Sequence, residues 1–242
     1  MIALIIPCFN ESRRLDATAF TSASSEELKF LFVDDGSTDG SYDFLLKSFE
    51  GNPHCRVIRM KQNVGKGEAI RTAALELAKM DWWKNLKWFG FWDADLATPL
   101  TEVPHFLKFA ELYQDVDSIW GSRVYRLGSE IKRSALRHYL GRGFATLVHQ
   151  LLHVEAYDTQ CGAKLFKKDL LESGFSHPFL SRWIFDIEIL LRLERKNIIE
   201  YPLTQWQDIP GSKLKVSREI LRVFRDILRI RKKYILRLER QS

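Results

Sequence analysis

Leu86-Lys87-Trp88-Phe89-Gly90-Phe91-Trp92-Asp93-Ala94-Asp95-Leu96-Ala97-Thr98-Pro99 is an apolar run that stops at two carboxylates and a turn. Successive strand side chains alternate faces, so Asp93 and Asp95 at a strand end are expected to project together toward one cation or one polyphosphate. A hard divalent ion takes oxygen ligands and commonly joins one or two carboxylates to substrate phosphates. Taken alone, the pair could equally be two solvated aspartates in a turn before Pro99. The decision lies in what surrounds it.

Upstream, the same pattern recurs three times. Ile2 to Ile6 leads into Pro7-Cys8-Phe9-Asn10-Glu11; Leu28 to Val33 leads into Asp34-Asp35-Gly36-Ser37-Thr38-Asp39; Arg56 to Met60 leads into Asn63-Val64-Gly65-Lys66-Gly67. Helical stretches separate these strands: one carrying Tyr42, Leu45, Leu46 and Phe49, another carrying Ala69, Ala73, Leu77 and Met80. Thr18 to Ser25 is rich in Ser and Thr and is expected to be a connector. Strands alternating with helices imply an α/β fold with a mostly parallel central sheet and right-handed crossovers. Loops at the carboxyl ends of such strands are where ligands bind, so the four polar loops are expected at one edge.

Downstream, Asp117 to Gly121 is expected to be a fifth strand ending at Ser122-Arg123. A basic helix over 132–153, a strand at Ala163 to Phe166, a helix over 182–196, a strand at Ile198 to Leu203 and a loop over 206–215 follow. The stretch 216–240 sets Ile220, Val223, Phe224, Ile227, Leu228 and Ile230 against Arg218, Arg222, Arg225, Arg229, Arg231, Lys232, Lys233, Arg237 and Arg240. This is a basic amphipathic helix, either packed on the domain or lying on a membrane surface. The expected division is a catalytic domain over 1–215 and this helix over 216–242.

Composition narrows the function. Of 242 residues, 45% are hydrophobic, and 37 Lys plus Arg against 31 Asp plus Glu give a formal charge of +6. The surplus is concentrated near 123–142 and after residue 215, which favours local anionic partners over nucleic acid. Cys8, Cys55 and Cys161 show no metal or disulfide spacing, and no apolar run nears the roughly 20 residues that span a bilayer. A cytoplasmic protein, peripheral at most on the cytoplasmic membrane face, is the expectation.

Pro7-x-Phe9-Asn10-Glu11, Val33-Asp34-Asp35-Gly36-Ser37-Thr38-Asp39, Asn63-x-Gly65-Lys66-Gly67 and Asp93-Ala94-Asp95, in this order, resemble the family 2 inverting glycosyltransferases of GT-A fold. Asp158-Thr159-Gln160-Cys161-Gly162-x-Lys164-Leu165-Phe166, Arg182-Trp183-x-Phe185-Asp186-x-Glu188 and Gly211-Ser212-Lys213-Leu214 resemble the branch that glycosylates dolichyl and polyprenyl phosphates. The resemblance implies a hexose, glucose first, moved from a UDP-sugar or less readily a GDP-sugar to a polyprenyl phosphate, with Mg²⁺ or Mn²⁺. It implies that Pro7, Phe9, Glu11, Val33, Asp35, Lys66, Asp93 and Ala94 hold the nucleotide and that Asp95, with Asp93, holds the metal. Asp158 and Gln160 would organise the acceptor side or else satisfy backbone groups at a strand start. Arg123, which the resemblance places directly, would clamp the phosphate with Lys213 and with Arg133 and Arg137, one helical turn apart unless they are only a solvated basic helix face. A phosphate is already anionic, whereas a hydroxyl acceptor needs a base, for which Asp186 or Glu188 is the candidate. A silent nucleotide-sugar binding module is the third reading. Two positions depart from the pattern: Ala97 stands where relatives often carry a metal-binding Gln, and Gln207 where the mannosyl branch carries Arg.

Overall fold

The computed structural model describes residues 1–193, 196–209 and 216–236, with side chains in the last segment described from residue 222. A seven-stranded sheet runs in the order β3-β2-β1-β4-β7-β5-β8. Its strands are β1 (Ile2–Cys8), β2 (Leu28–Asp34), β3 (Cys55–Arg59), β4 (Trp88–Phe91), β5 (Ser118–Ser122), β7 (Lys164–Lys167) and β8 (Ile198–Pro202). Only β7 is antiparallel to its neighbours. That reversal places the loop before β7 at the same edge as the loops after β1, β2, β4 and β5.

Alternation builds the core. Ile2, Leu4, Ile6, Phe30 and Phe32 face one side, where α1 (Ala17–Ala23), α2 (Ser41–Ser48) and α4 (Glu102–Leu112) cover them. Ala3, Ile5, Leu31, Val33, Phe89 and Phe91 face the other, under α3 (Lys66–Leu77), α6 (Leu171–Phe175) and α7 (Phe185–Arg192). A strand buried on both faces must be apolar throughout, which is why β1 reads Ile-Ala-Leu-Ile-Ile. On α3, Ala69, Ala73 and Ala74 keep the helix close to the sheet and fix Lys66 at its first position.

Several boundaries differ from the sequence expectation. Residues 17–23 are helical because Asp16 accepts from Ala19 N at 3.0 Å and Phe20 is buried, which outweighs the weak propensity of Ser and Thr. The expected helix over 132–153 begins later, as α5 (Ala135–Leu152), because Glu130–Lys132 forms β6. That strand pairs with β9 (Gln205–Gln207), so the expected loop over 206–215 starts as a strand. The helix expected from Arg182 begins only at Phe185. Glu188 takes the backbone N–H groups of Leu180 and Ser181, and the Ser181 hydroxyl accepts from Ile184 N at 3.1 Å.

The C-terminal stretch is helical from Val216 as α8 (Val216–Ile230), followed by a π-turn through Ile235. Ile227 and Ile230 are buried among Val148 and Leu152 of α5 and Ile184 and Ile187 at α7. Asp226 accepts from the Ser181 hydroxyl at 2.7 Å. Thus one side of α8 packs on the domain, while Phe224 and Leu228 remain exposed.

Candidate active site

The loops after β1 and β2 are tied to each other before any ligand arrives. Asn10, at φ 55°, accepts from Thr38 N at 3.0 Å, and its own N–H donates to the Ser37 hydroxyl at 2.9 Å. Glu11 N donates to the Ser41 hydroxyl at 2.7 Å, and the Glu11 carboxylate pairs with Arg14 at 2.5 Å. Asp39 accepts from Ser41 and Ser12; slight burial opposes ionisation, but these bonds hold its carboxyl down to about 2. Asp39 is therefore a loop tie. Pro7 sits in β1, Val33 is buried in β2, and Phe9 is exposed at the mouth.

Asp35 fastens the third loop. Its carboxylate accepts from Val64 N at 2.7 Å, Gly65 N at 2.9 Å and Asn63 Nδ2 at 3.0 Å. Arg182 closes over the same loop by donating to the Asn63 carbonyl at 3.2 Å. A Cβ on Gly65 would lie 2.5 Å from Arg182 Nε, and Gly65 adopts φ 95°, so both space and backbone require glycine there. Burial raises the Asp35 pKa, against the lowering effect of these backbone bonds.

The Asp93/Asp95 pair does not extend β4 as expected. The strand ends at Phe91; Asp93 C=O accepts from Leu96 N at 3.2 Å, and Trp92 Nε1 donates to Thr98 C=O at 2.7 Å, so the pair lies in a tight turn. The two carboxylates still feel each other. Burial and then Asp93 raise the Asp95 pKa, whereas at Asp93 burial is outweighed by Lys66, which lowers it. Lys66 Nζ lies 2.5 Å from Asp93 Oδ1, with the two side chains 39% and 35% exposed. Ala94 is buried between them. A Cβ on Gly162 would fall 1.8 Å from Asp93 Oδ2, so the loop before β7 presses directly on this turn.

Beneath lies a pair of which Asp186 is expected from the sequence as a candidate base and Lys164 is not expected at all. Lys164, fully buried in β7, places Nζ 2.6 Å from Asp186 Oδ1 and also donates to the carbonyls of Thr159 and Cys161. Its ammonium lies over the rings of Trp120 at 4.4 Å and Phe91 at 5.2 Å. Burial raises the Asp186 pKa despite the attraction of Lys164. The signal available in the sequence was a lone Lys inside the apolar strand Ala163-Lys164-Leu165-Phe166.

On the acceptor side the expected cations have different surroundings. Arg123 grips Asp158 with two bonds, Nε to Oδ2 at 2.6 Å and Nη2 to Oδ1 at 2.7 Å, and lies over Trp206 at 5.2 Å. Glu200 of β8 fixes that loop by accepting from Tyr157 N at 2.7 Å and Asp158 N at 2.8 Å. Gln160 donates its backbone N–H to Asp158 at 3.2 Å. Arg137 is paired with Asp208. Arg133 is half-buried, its guanidinium against Gly141 of α5 and its Nε without a hydrogen-bond partner among the described residues. Burial and then repulsion from Arg123 lower its pKa. Lys213 lies outside the described residues. Cys8, Cys55 and Cys161 are free and buried.

The Arg123–Asp158 bond makes a pH test. Burial opposes ionisation of Asp158, but Arg123 outweighs it and holds the carboxyl at about 2, below the unfolded value near 3.9. A depressed folded pKa contributes stability above the unfolded pKa and loses it as pH falls toward the folded one. Asp158→Asn is therefore expected to lower the urea midpoint at pH 7, and its deficit against the parent should shrink between about pH 4 and pH 2. A deficit independent of pH in that window would remove the ion pair as its cause.

One sheet edge thus gathers a loop-locked carboxylate, an acidic turn with a lysine and a cluster of arginines around a buried aspartate. The mixed α/β sheet lies beneath it. The chain belongs to glycosyl transferase family 2, whose profile matches residues 3–175. Among curated proteins it is 32% identical to the dolichyl-phosphate beta-glucosyltransferase of Dictyostelium discoideum, covering 97% of this chain and 75% of that protein. It is 32% identical to the protein of the same name from Saccharomyces cerevisiae, over 100% of this chain and 77% of the relative. Among solved structures, glucosyl-3-phosphoglycerate synthase from Mycobacterium tuberculosis, in complex with Mn²⁺, UDP and glucosyl-3-phosphoglycerate, superimposes with a TM-score of 0.65. That match has 19% identity and covers 95% of this chain and 78% of the other. It speaks for the fold.

Proposed function

We propose that this protein transfers glucose from UDP-glucose to dolichyl phosphate or a related polyprenyl phosphate, inverting the anomeric centre. The observation that carries the reading is the shared sheet edge, with the acidic turn at Asp93 and Asp95 on one side and the Arg123, Arg133 and Arg137 cluster on the other. The names of the relatives, dolichyl-phosphate beta-glucosyltransferases, supply the substrate class. A carboxylate offers roughly four acceptor positions, and three at Asp35 are taken by Asn63, Val64 and Gly65. One remaining position suits the single imide N–H of uracil better than the two adjacent donors of guanine.

The donor set also fits a divalent ion. Asp95 is a carboxylate whose ionisation is opposed by burial and by Asp93, and a cation would relieve both effects. Among the described residues no cluster of three or more His, Cys, Asp or Glu could hold an ion, so the donor diphosphate and water would complete the ligands. Asp95 would hold the ion first and Asp93 would face it while bonded to Lys66. Once bound, Mg²⁺ or Mn²⁺ would neutralise the charge that develops on the leaving diphosphate. Lys66 places a further positive charge beside the same turn.

At the acceptor end, Arg123 is neutralised by Asp158, so its first task is to shape the loop. Arg133, whose charge no carboxylate meets within ion-pair distance among the described residues, is the phosphate ligand. Asp186 is engaged by Lys164 below the turn, which speaks against its serving as base for a hydroxyl acceptor. A phosphate nucleophile needs no such base.

No helix among the described residues is long and apolar enough to cross a membrane. A lipid-linked acceptor therefore implies contact with a membrane surface.

Incubation with a panel of nucleotide sugars and with dolichyl phosphate or free saccharides tests the reading. Lipid-linked glucose and released UDP are the expected products; transfer to a saccharide hydroxyl, or no donor cleavage, overturns it. Within the same assay Arg133→Ala is expected to raise KM for the lipid phosphate about tenfold or more, from loss of a charge-assisted bond of about 1.5–3 kcal/mol. UDP affinity should stay within about twofold, since the altered charge lies at the acceptor end. Equal loss of both would move Arg133 to the donor side.

A further inference from the structure

We propose that the first half of α5, together with the loop bearing Leu127, is the face that this protein lays on an anionic lipid bilayer. The inference rests on the proposed lipid-phosphate acceptor and says which surface meets the membrane. Leu127 is fully exposed at the tip of the loop after β5, and Leu136, Tyr139 and Leu140 are 69%, 72% and 44% exposed. Positions 136, 139 and 140 follow helical spacing, so they form one outward stripe. Farther along the same helix Ala145, Val148 and Leu152 are buried. A helix with apolar residues on its covered side and again on its open side has more apolar surface than the domain occupies.

Charge selects the occupant. Over 123–142 six cations stand with a single acid, Glu130; Asp158 and Asp208 from elsewhere in the chain answer Arg123 and Arg137, which leaves Arg126, Lys132, Arg133 and Arg142 as the surplus. A protein partner would need a matching acidic apolar surface, whereas an anionic bilayer offers apolar depth and negative headgroups together. The loop and helix act as one unit, because Tyr125 OH donates to Arg133 C=O at 2.8 Å and packs on His138 at 5.0 Å. Arg133 therefore stands at the root of the apolar stripe, where a lipid phosphate would sit with its chain still in the bilayer. The C-terminal helix is less suited to be the main anchor, since Ile227 and Ile230 of its apolar side are already buried against α5 and α7.

The test uses the full chain with phosphatidylcholine vesicles, with and without phosphatidylserine and containing no acceptor. Leu127→Glu and the double variant Leu136→Glu/Tyr139→Glu change exposed positions only, and circular dichroism checks their folding. Salt-sensitive binding to the serine-containing vesicles is expected for the parent and should weaken at least about tenfold in both variants. Transfer to dolichyl phosphate in vesicles should fall with it, while transfer to a short, water-soluble prenyl phosphate should be unchanged. Unaltered vesicle binding by the variants, or none by the parent, overturns the proposal. So does a parent dimer in sedimentation that the same substitutions dissociate, for the stripe would then belong to a second copy. If binding falls as expected but neither prenyl phosphate accepts glucose, the membrane face stands and the proposed reaction fails.

Discussion

Asp95→Asn is expected to lower kcat for glucose transfer by on the order of 10²-fold or more while making the metal-free protein more stable. The two effects share one origin. Burial and the neighbouring Asp93 raise the Asp95 pKa, so its ionised form is disfavoured in the folded state. A carboxyl whose folded pKa lies above its unfolded value destabilises the fold in full at pH above that folded pKa, and the penalty fades as pH falls from the folded pKa to the unfolded one, below which it is gone. Asparagine keeps the shape and the bond from Ala97 N, now 3.1 Å to Asp95 Oδ1, but removes the charge. At pH 7 the variant should therefore melt higher than the parent without metal. Adding Mn²⁺ with UDP should raise the parent's Tm and barely move the variant's, because ligand binding stabilises only in proportion to affinity. Full activity of Asp95→Asn, or of the parent in excess EDTA, would remove the ion from the reaction. A lower metal-free Tm in the variant would instead assign Asp95 a structural part.

Much of this architecture was legible because its parts repeat a local pattern. Four apolar strands each ending in polar turn residues fixed the parallel half of the sheet, and topology alone put their loops together. The segment 158–162 was harder to place, since its arrival at that edge depends on β7 running antiparallel, a property of pairing that no local period reports. The same limit applies to Asp93 and Asp95. Strand alternation expects them side by side, but the turn closed by Leu96 N and Trp92 Nε1 sets their relation. Arg123 was expected as an acceptor-side cation, yet its bidentate partner Asp158 stands 35 positions away, and only the folded chain shows that the charge is already answered. Exposed apolar residues on α5 gave no sequence signal either. An amphipathic pattern shows that a face is apolar and leaves open whether the domain or something outside it does the covering.

Replacing Lys164 with Met is expected to cost about 3–5 kcal/mol, because it leaves Asp186 buried with its counter-charge gone. In a chain of this size that is a fall in Tm of roughly 6–20 °C. The side chains of Lys164 and Asp186 are 0% and 7% exposed, so solvent can do little to screen the remaining charge. Removing both charges with Lys164→Met/Asp186→Leu should restore most of the stability, since a buried ion pair contributes little net free energy over apolar residues of similar volume. Activity should not return with it. Lys164 also donates to the carbonyls of Thr159 and Cys161, which hold the 158–162 loop with Gly162 against Asp93. Without that tether the acceptor loop can leave the acidic turn, so the stable double variant should bind UDP normally and show KM for the lipid phosphate raised about tenfold or more. Recovery of stability and KM together would make Lys164 a neutral filler of the core. Failure of the double variant to regain stability would show that the ammonium's bonds to the loop carbonyls, and not the ion pair, hold this part of the fold.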